Sequence, residues 1–123
     1  FYFYISRNME ITKATDGFSA LSQETRLRTF RSLIAAGRDG LAAGELAAAL
    51  NVLPNTLSTN LSILLQAGLV SKERQGRSIR YFAELDGIRL LLRYLMQDCC
   101  GGQPELCAPF LKELTERDVK TDA

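Results

Sequence analysis

The spacing of apolar residues changes period once, just after Gly68, and that change does most to limit the fold. Before it, apolar residues recur at helical intervals. Leu27, Phe30, Leu33 and Ile34 define a helix over 23–36, with Ser22 as its expected N-cap and Gly37 as its stop. An earlier helix includes residues 15–20. Residues 43–50 form a short alanine-rich helix, Asn51 and Pro54 bracket a tight turn, and residues 55–67 form the next helix, ended by Gly68. Beyond Gly68, residues 69–74 and 78–84 have strand character, and Gln75-Gly76-Arg77 between them marks a hairpin. A further helix opens at Leu85-Asp86, runs to about residue 98 and is broken by Gly101-Gly102, and a last helix covers 109–117. Two helices joined by a tight turn and followed by a hairpin predict a mainly α fold with a small β-hairpin. That is a winged helix-turn-helix with flanking helices.

The chain has 123 residues, 46% of them hydrophobic, which suits one domain with a real core. That domain is expected over 9–117. Residues 1–8, FYFYISRN, differ from the rest and are expected to be an appended or disordered extension, with Met9 as the native start. Residues 118–123 are expected to be a disordered tail. No apolar run approaches the ~20 residues needed to cross a bilayer. The chain has three cysteines, an odd number clustered too closely for a disulfide framework, so a reducing, cytoplasmic setting is expected. It has no histidine, which removes the Ser-His and Cys-His catalytic pairs and the commonest nitrogen ligand for zinc. With no CxxC pair and no phosphate-binding glycine loop either, a thiol enzyme is the weaker reading.

The helix over 55–67 is polar in an unusual way. Leu57, Leu61, Leu64 and Leu65 form its apolar side. Asn55, Ser58, Thr59, Ser62 and Gln66 face the other way, with Thr56 and Asn60 on the flanks. An ordinary solvated helix face carries more Lys and Glu. Short uncharged donors and acceptors approach base edges closely. The hairpin then places Lys72, Arg74, Arg77 and Arg80 in one short stretch against a single acid, Glu73, a local positive edge on a chain whose net charge is only +1. Arg77 is expected at the tip, in reach of phosphates or a minor groove. Arg26, Arg28 and Arg31 either add backbone contacts or sit on a solvated helix.

Three segments carry a resemblance: FSALSQETRLRTFRSLI, the run PNTLSTNLSILLQAGLV, and GRSIRY. Over residues 18–95 the chain resembles the arsenical-resistance repressor (ArsR) family of winged-helix regulators. The resemblance implies a homodimer on double-stranded operator DNA that departs when a metal or metalloid binds. It places the recognition helix at 55–67, the wing at 70–83, and the dimer interface on the first and last helices. Ile88, Leu91, Leu92 and Leu95 lie on one stripe of the last long helix and fit that interface, with an intrachain core contact as the alternative. Two features depart from the family pattern. Asn60 stands where members often carry histidine, and the segment LAAGELAAALN holds no thiol before the recognition helix.

The thiols gather instead at the C-terminal corner, QDCCGGQPELCAPF, as Cys99, Cys100 and Cys107. Trivalent arsenic and antimony are soft ions satisfied by three thiolates, whereas zinc takes four ligands. Adjacent helical residues point about 100° apart, so Cys99 and Cys100 need an unwound backbone to share an ion, which Gly101-Gly102 allows. As(III) or Sb(III) as inducer is therefore the expectation. A thiol redox switch, another soft metal and simple burial are the alternatives.

Overall fold

The computed structural model describes residues 9–96, 108–109 and 112–114. The extension at 1–8, the tail, the thiol corner with Cys99, Cys100 and Cys107, and most of the expected last helix lie outside the described residues. Residues 108–109 and 112–114 are helical.

Helix α1 (Ile11–Leu21) buries Ala14, Gly17 and Ala20, small residues three apart that let a neighbour approach closely. Ser22 ends this helix rather than starting the next. Its backbone is not extended, and its hydroxyl donates to Ser19 O at 2.8 Å. The N-cap of α2 (Glu24–Ala36) is Gln23, whose Oε1 accepts from the Arg26 backbone N–H at 2.9 Å. Of the predicted apolar positions on α2, Phe30 and Leu33 turn inward, while Leu27 and Ile34 are exposed. Gly37 and Gly40 then reverse the chain at φ 62 and 63. A side chain at Gly40 would collide with Tyr81 O, because the short strand β1 (Leu41–Ala42) packs there. Sequence periodicity cannot show a strand of two residues, and this one was not anticipated.

Helix α3 (Ala43–Leu50) is opened by Glu45, whose carboxylate accepts from the Ala42 N–H at 2.8 Å. Asn51 closes it in the left-handed conformation. Helix α4 (Pro54–Gln66) begins on a proline at N1, where no intrahelical N–H is required. The hairpin follows at once. Strands β2 (Val70–Gln75) and β3 (Ser78–Ala83) pair antiparallel, with Gln75 opposite Ser78. The connection is therefore two residues, Gly76-Arg77, with φ positive only at Gly76, as a type II′ turn requires. β1 adds on the far side of β3, giving the order β1-β3-β2. The fold is thus mainly helical with a small three-stranded antiparallel sheet.

Helix α5 (Leu85–Met96) lies across α1. Leu91 is 1% exposed, and a Cβ built on Gly17 would fall 2.8 Å from its methyl groups. Leu91 is therefore an intrachain core residue, which corrects its assignment to the dimer interface. The expected stripe is wider than the groove it enters. Leu91 fills the notch at Gly17, Ile88 is half-buried, and Leu92 (48%) and Leu95 (61%) stay exposed. The core itself is leucine-built: Leu33, Leu46, Leu57, Leu61, Leu64, Leu69 and Leu91 are essentially inaccessible. Each contributes about 1.5–3 kcal/mol by leaving water.

Candidate nucleic-acid interface

Helix α4 supplies the first half of the site. Its core side is Leu57, Leu61 and Leu64, so the residues half a turn away face out. Asn55, Thr56, Ser58, Thr59, Ser62 and Gln66 are all exposed, as expected. The Thr59 hydroxyl donates back to Asn55 O at 3.2 Å, which leaves its lone pairs to face outward. No side chain caps the start of α4, where the N-cap position is an exposed leucine, Leu53. The N–H groups of Asn55 and Thr56 therefore lack an intrahelical acceptor and suit a phosphate oxygen.

Asn60 does not belong to that face. It is 7% exposed, and its Oδ1 accepts from Arg26 Nη1 at 3.2 Å. The helical period explains the correction: three residues from Leu57 and four from Leu64, Asn60 lies about 60° and 40° round from them, inside the core stripe. Arg26 is engaged on its other side as well, since its Nε donates to Ala20 O at 2.7 Å. That guanidinium braces the end of α1 against the middle of α4. Arg28 and Arg31 are exposed. The Arg26–Asn60 bond was missed in the sequence, although the spacing of 57, 60, 61 and 64 carried the signal.

The hairpin supplies the second half. Lys72 and Arg74 pair across from Tyr81 and Ile79, while Glu73 pairs across from Arg80. Side chains alternate along a strand, so Lys72 and Arg74 share one face of the sheet and Arg80 lies on the other. Arg80 Nη1 donates to Asp39 O at 3.0 Å and Gly40 O at 3.2 Å, and lies 3.7 Å from the Glu45 carboxylate. Arg80 therefore fastens the sheet to the loop before β1, and it leaves the expected set of DNA contacts. Arg77 sits at the tip, exposed, with no ion pair or hydrogen bond among the described residues. The cationic edge is Lys72, Arg74 and Arg77. It follows α4 directly: Gly68 turns the chain at φ 78, and the Leu69 N–H closes on Leu64 O at 3.1 Å.

A family model described as a helix-turn-helix domain matches residues 21–73, which run from the end of α1 into the hairpin. An ArsR-like transcriptional regulator from Rhodococcus sp. RHA1 superposes with a TM-score of 0.65 at 30% identity, covering 87% of this chain and 96% of that one. The chain belongs to the ArsR-like winged helix-turn-helix family. In this ArsR-like chain α4 is accordingly the recognition helix and the β2–β3 hairpin the wing. The homodimeric winged helix-turn-helix DNA-binding domain of Mb0332 from Mycobacterium bovis is 27% identical, with a TM-score of 0.58 over 72% of this chain and 81% of that one. A Halobacterium salinarum protein named as a candidate arsenical resistance operon repressor, ArsR, is 36% identical over 74 residues. The match spans 60% of this chain and 57% of that protein. Among the described residues, no group of three or more His, Cys, Asp or Glu is placed to hold a metal ion, and no helix is long and apolar enough to cross a membrane.

Proposed function

We propose that this protein is a homodimeric transcriptional repressor that binds double-stranded operator DNA. It leaves that DNA when As(III) or Sb(III) is captured by Cys99, Cys100 and Cys107. The observation that carries the DNA-binding part is the outer face of α4: six exposed, uncharged, hydrogen-bonding side chains opposite an inner face of leucines interrupted only by the buried Asn60. Such a face matches the donor and acceptor pattern of a major groove. The wing's Lys72, Arg74 and Arg77 add salt-sensitive phosphate contacts. In a twofold pair the two recognition helices enter successive major grooves ~34 Å apart. Exposed Leu92 and Leu95 on α5 supply an apolar face for the partner subunit, in keeping with the homodimeric relative.

The sensing part rests on the donor set. Three thiolates with no histidine in the chain suit a soft three-coordinate ion better than zinc. The thiols follow α5 in sequence, so capture there strains a helix that carries the proposed dimer face. The test is a gel-shift titration of the reduced protein with arsenite, antimonite, zinc and peroxide, repeated with Cys99→Ser, Cys100→Ser and Cys107→Ser. Release by arsenite or antimonite that any of these substitutions weakens supports the proposal. Release by peroxide alone would instead make the thiols a redox switch, and retention of DNA under all four additions would end the sensing proposal.

A further inference from the structure

We infer that Arg26 is a positioning residue for sequence reading: its two-sided hydrogen bond fixes the rotation of the recognition helix. This rests on the DNA-binding function proposed above. The geometry is specific. Arg26 Nε holds the last carbonyl-bearing turn of α1 through Ala20 O at 2.7 Å, and Nη1 holds Asn60 Oδ1, in the middle of α4, at 3.2 Å. Gln23 in turn fixes Arg26 at its backbone N–H. Asn60 is one of two buried polar side chains among the described residues. The other, Thr29, bonds only within its own helix, to Thr25 O.

Stability does not require such a pair. A buried polar pair replaced by apolar side chains of like shape is often neutral or better, and here the one group left without a partner is Ala20 O, which Arg26 also holds. Direction is what it adds. Leucine packing along Leu57, Leu61 and Leu64 constrains how deep α4 sits, but it tolerates a roll about the helix axis through side-chain rotamer changes. Hydrogen bonds tolerate much less, with N–H···O distances confined to roughly 2.7–3.2 Å. Side-chain tips on a helix lie about 6 Å from its axis, so a roll of about 20° displaces them by about 2 Å. That is enough to break base-edge bonds made by Ser58, Thr59 and Ser62, which lie within two residues of Asn60. Phosphate contacts from the flexible wing cations survive the same roll. Losing the Arg26–Asn60 bond therefore lowers discrimination between sequences more than it lowers affinity for DNA as such.

The experiment uses the full chain. A duplex enriched from a random library by the parent protein is compared with a scrambled duplex of equal composition, and the ratio of affinities is measured at one salt concentration. The double variant Arg26→Met/Asn60→Leu leaves Ala20 O without its donor, so it is expected to melt on the order of 10 °C below the parent while staying folded at the assay temperature, and to lose at least about tenfold of that ratio. Asn60→Asp keeps the acceptor oxygen and is expected to keep the ratio, even where its added charge weakens both affinities together. A double variant that retains the parent ratio would make the bond merely structural and overturn the inference. So would a folded Asn60→Asp protein that loses the ratio. If the parent itself enriches no sequence, the proposed DNA-reading function fails, and this inference falls with it.

Discussion

An arginine on a wing can hold phosphate or hold the protein, and alanine at Arg80 separates the two. Arg80 Nη1 makes bonds of 3.0 and 3.2 Å to Asp39 O and Gly40 O, and its side chain is 29% exposed. Hydrogen bonds to a charged group contribute about 1.5–3 kcal/mol. Both bonds come from the two hydrogens of one amino group, and the one to Asp39 O is exposed to water, which puts Arg80 at the lower end of that range. The Glu45 contact at 3.7 Å is half-exposed and adds under about 1 kcal/mol. Arg80→Ala is therefore expected to cost about 2 kcal/mol. In a domain of this size that lowers Tm by on the order of 10 °C in a circular-dichroism melt. Arg77 has no such partner, so Arg77→Ala should leave Tm nearly unchanged. In DNA binding the order reverses. Each phosphate contact contributes about 0.9 to the slope of log K against log salt, so Arg77→Ala lowers the slope by about 0.9 per subunit. Between 50 and 200 mM salt that is a factor of about 3.5 per subunit. Arg80→Ala should leave the slope alone. If it instead flattened the slope as much as Arg77→Ala and left Tm in place, the assignment of Arg80 to the opposite face of the sheet would be wrong.

Three more predictions follow from single contacts. Gly87→Ala gains about 1 kcal/mol of helix propensity, but its Cβ would lie 2.1 Å from Gly68 O, so a net loss of about 1–3 kcal/mol is expected. A Tm at or above the parent's would refute that. Leu92→Asp should leave the monomer folded and shift a sedimentation profile toward monomer, since Leu92 is 48% exposed; an unchanged dimer would remove α5 from the interface. Leu91→Ala, one residue earlier, should behave oppositely, costing about 2–5 kcal/mol in urea unfolding through the cavity it leaves beside Gly17.

Long apolar periods were legible in the sequence, and single-residue geometry was not. The recognition helix and the wing strands were readable because each is written as a pattern over six or more residues, and the turn because Asn51 and Pro54 bracket it. Ser22 was misassigned because capping preference is statistical, whereas Gln23 won the position by reaching the N3 amide with a longer side chain. β1 was invisible because two residues carry no period. Asn60 and Arg80 were placed by residue type: a polar amide and a cation near a DNA-reading element look like contacts. Their positions said otherwise. Asn60 shares the phase of the leucines around it, and Arg80 differs in strand parity from Lys72 and Arg74 when the register is counted through the Gly76-Arg77 turn. That register depends on a two-residue turn, where the sequence also allowed three. Leu91 is a different case, because nothing in the sequence around it says that Gly17 forms the opposite wall.

Those two glycines bear on how α5 can communicate with the DNA-reading elements. At Gly87 the helix backbone presses on the carbonyl of Gly68, the residue where α4 ends and the chain turns toward β2. The Glu84 N–H meanwhile bonds Leu69 O at 2.8 Å on the other side of that turn. Four residues after Gly87, Leu91 seats against Gly17, and one turn later in α1 is Ala20, whose carbonyl Arg26 holds together with Asn60 of α4. The first seven residues of α5 are therefore fastened both to the hinge between recognition helix and wing, at Gly87, and to the helix that Arg26 braces, at Leu91. Glycine is what makes both contacts close: a methyl group at either position would open a gap and decouple the elements. A packed contact with no spare space passes on a displacement that a loose one absorbs. A strain applied at the C-terminal end of α5, where the proposed thiol site begins, can be relieved in two ways. The exposed half of the helix, with Leu92 and Leu95, can bend alone, or the helix can move as a unit and carry the Gly68 hinge with it. Only the second alters DNA binding, and the tightness of the Gly87 and Gly17 contacts favours it over sliding within the subunit.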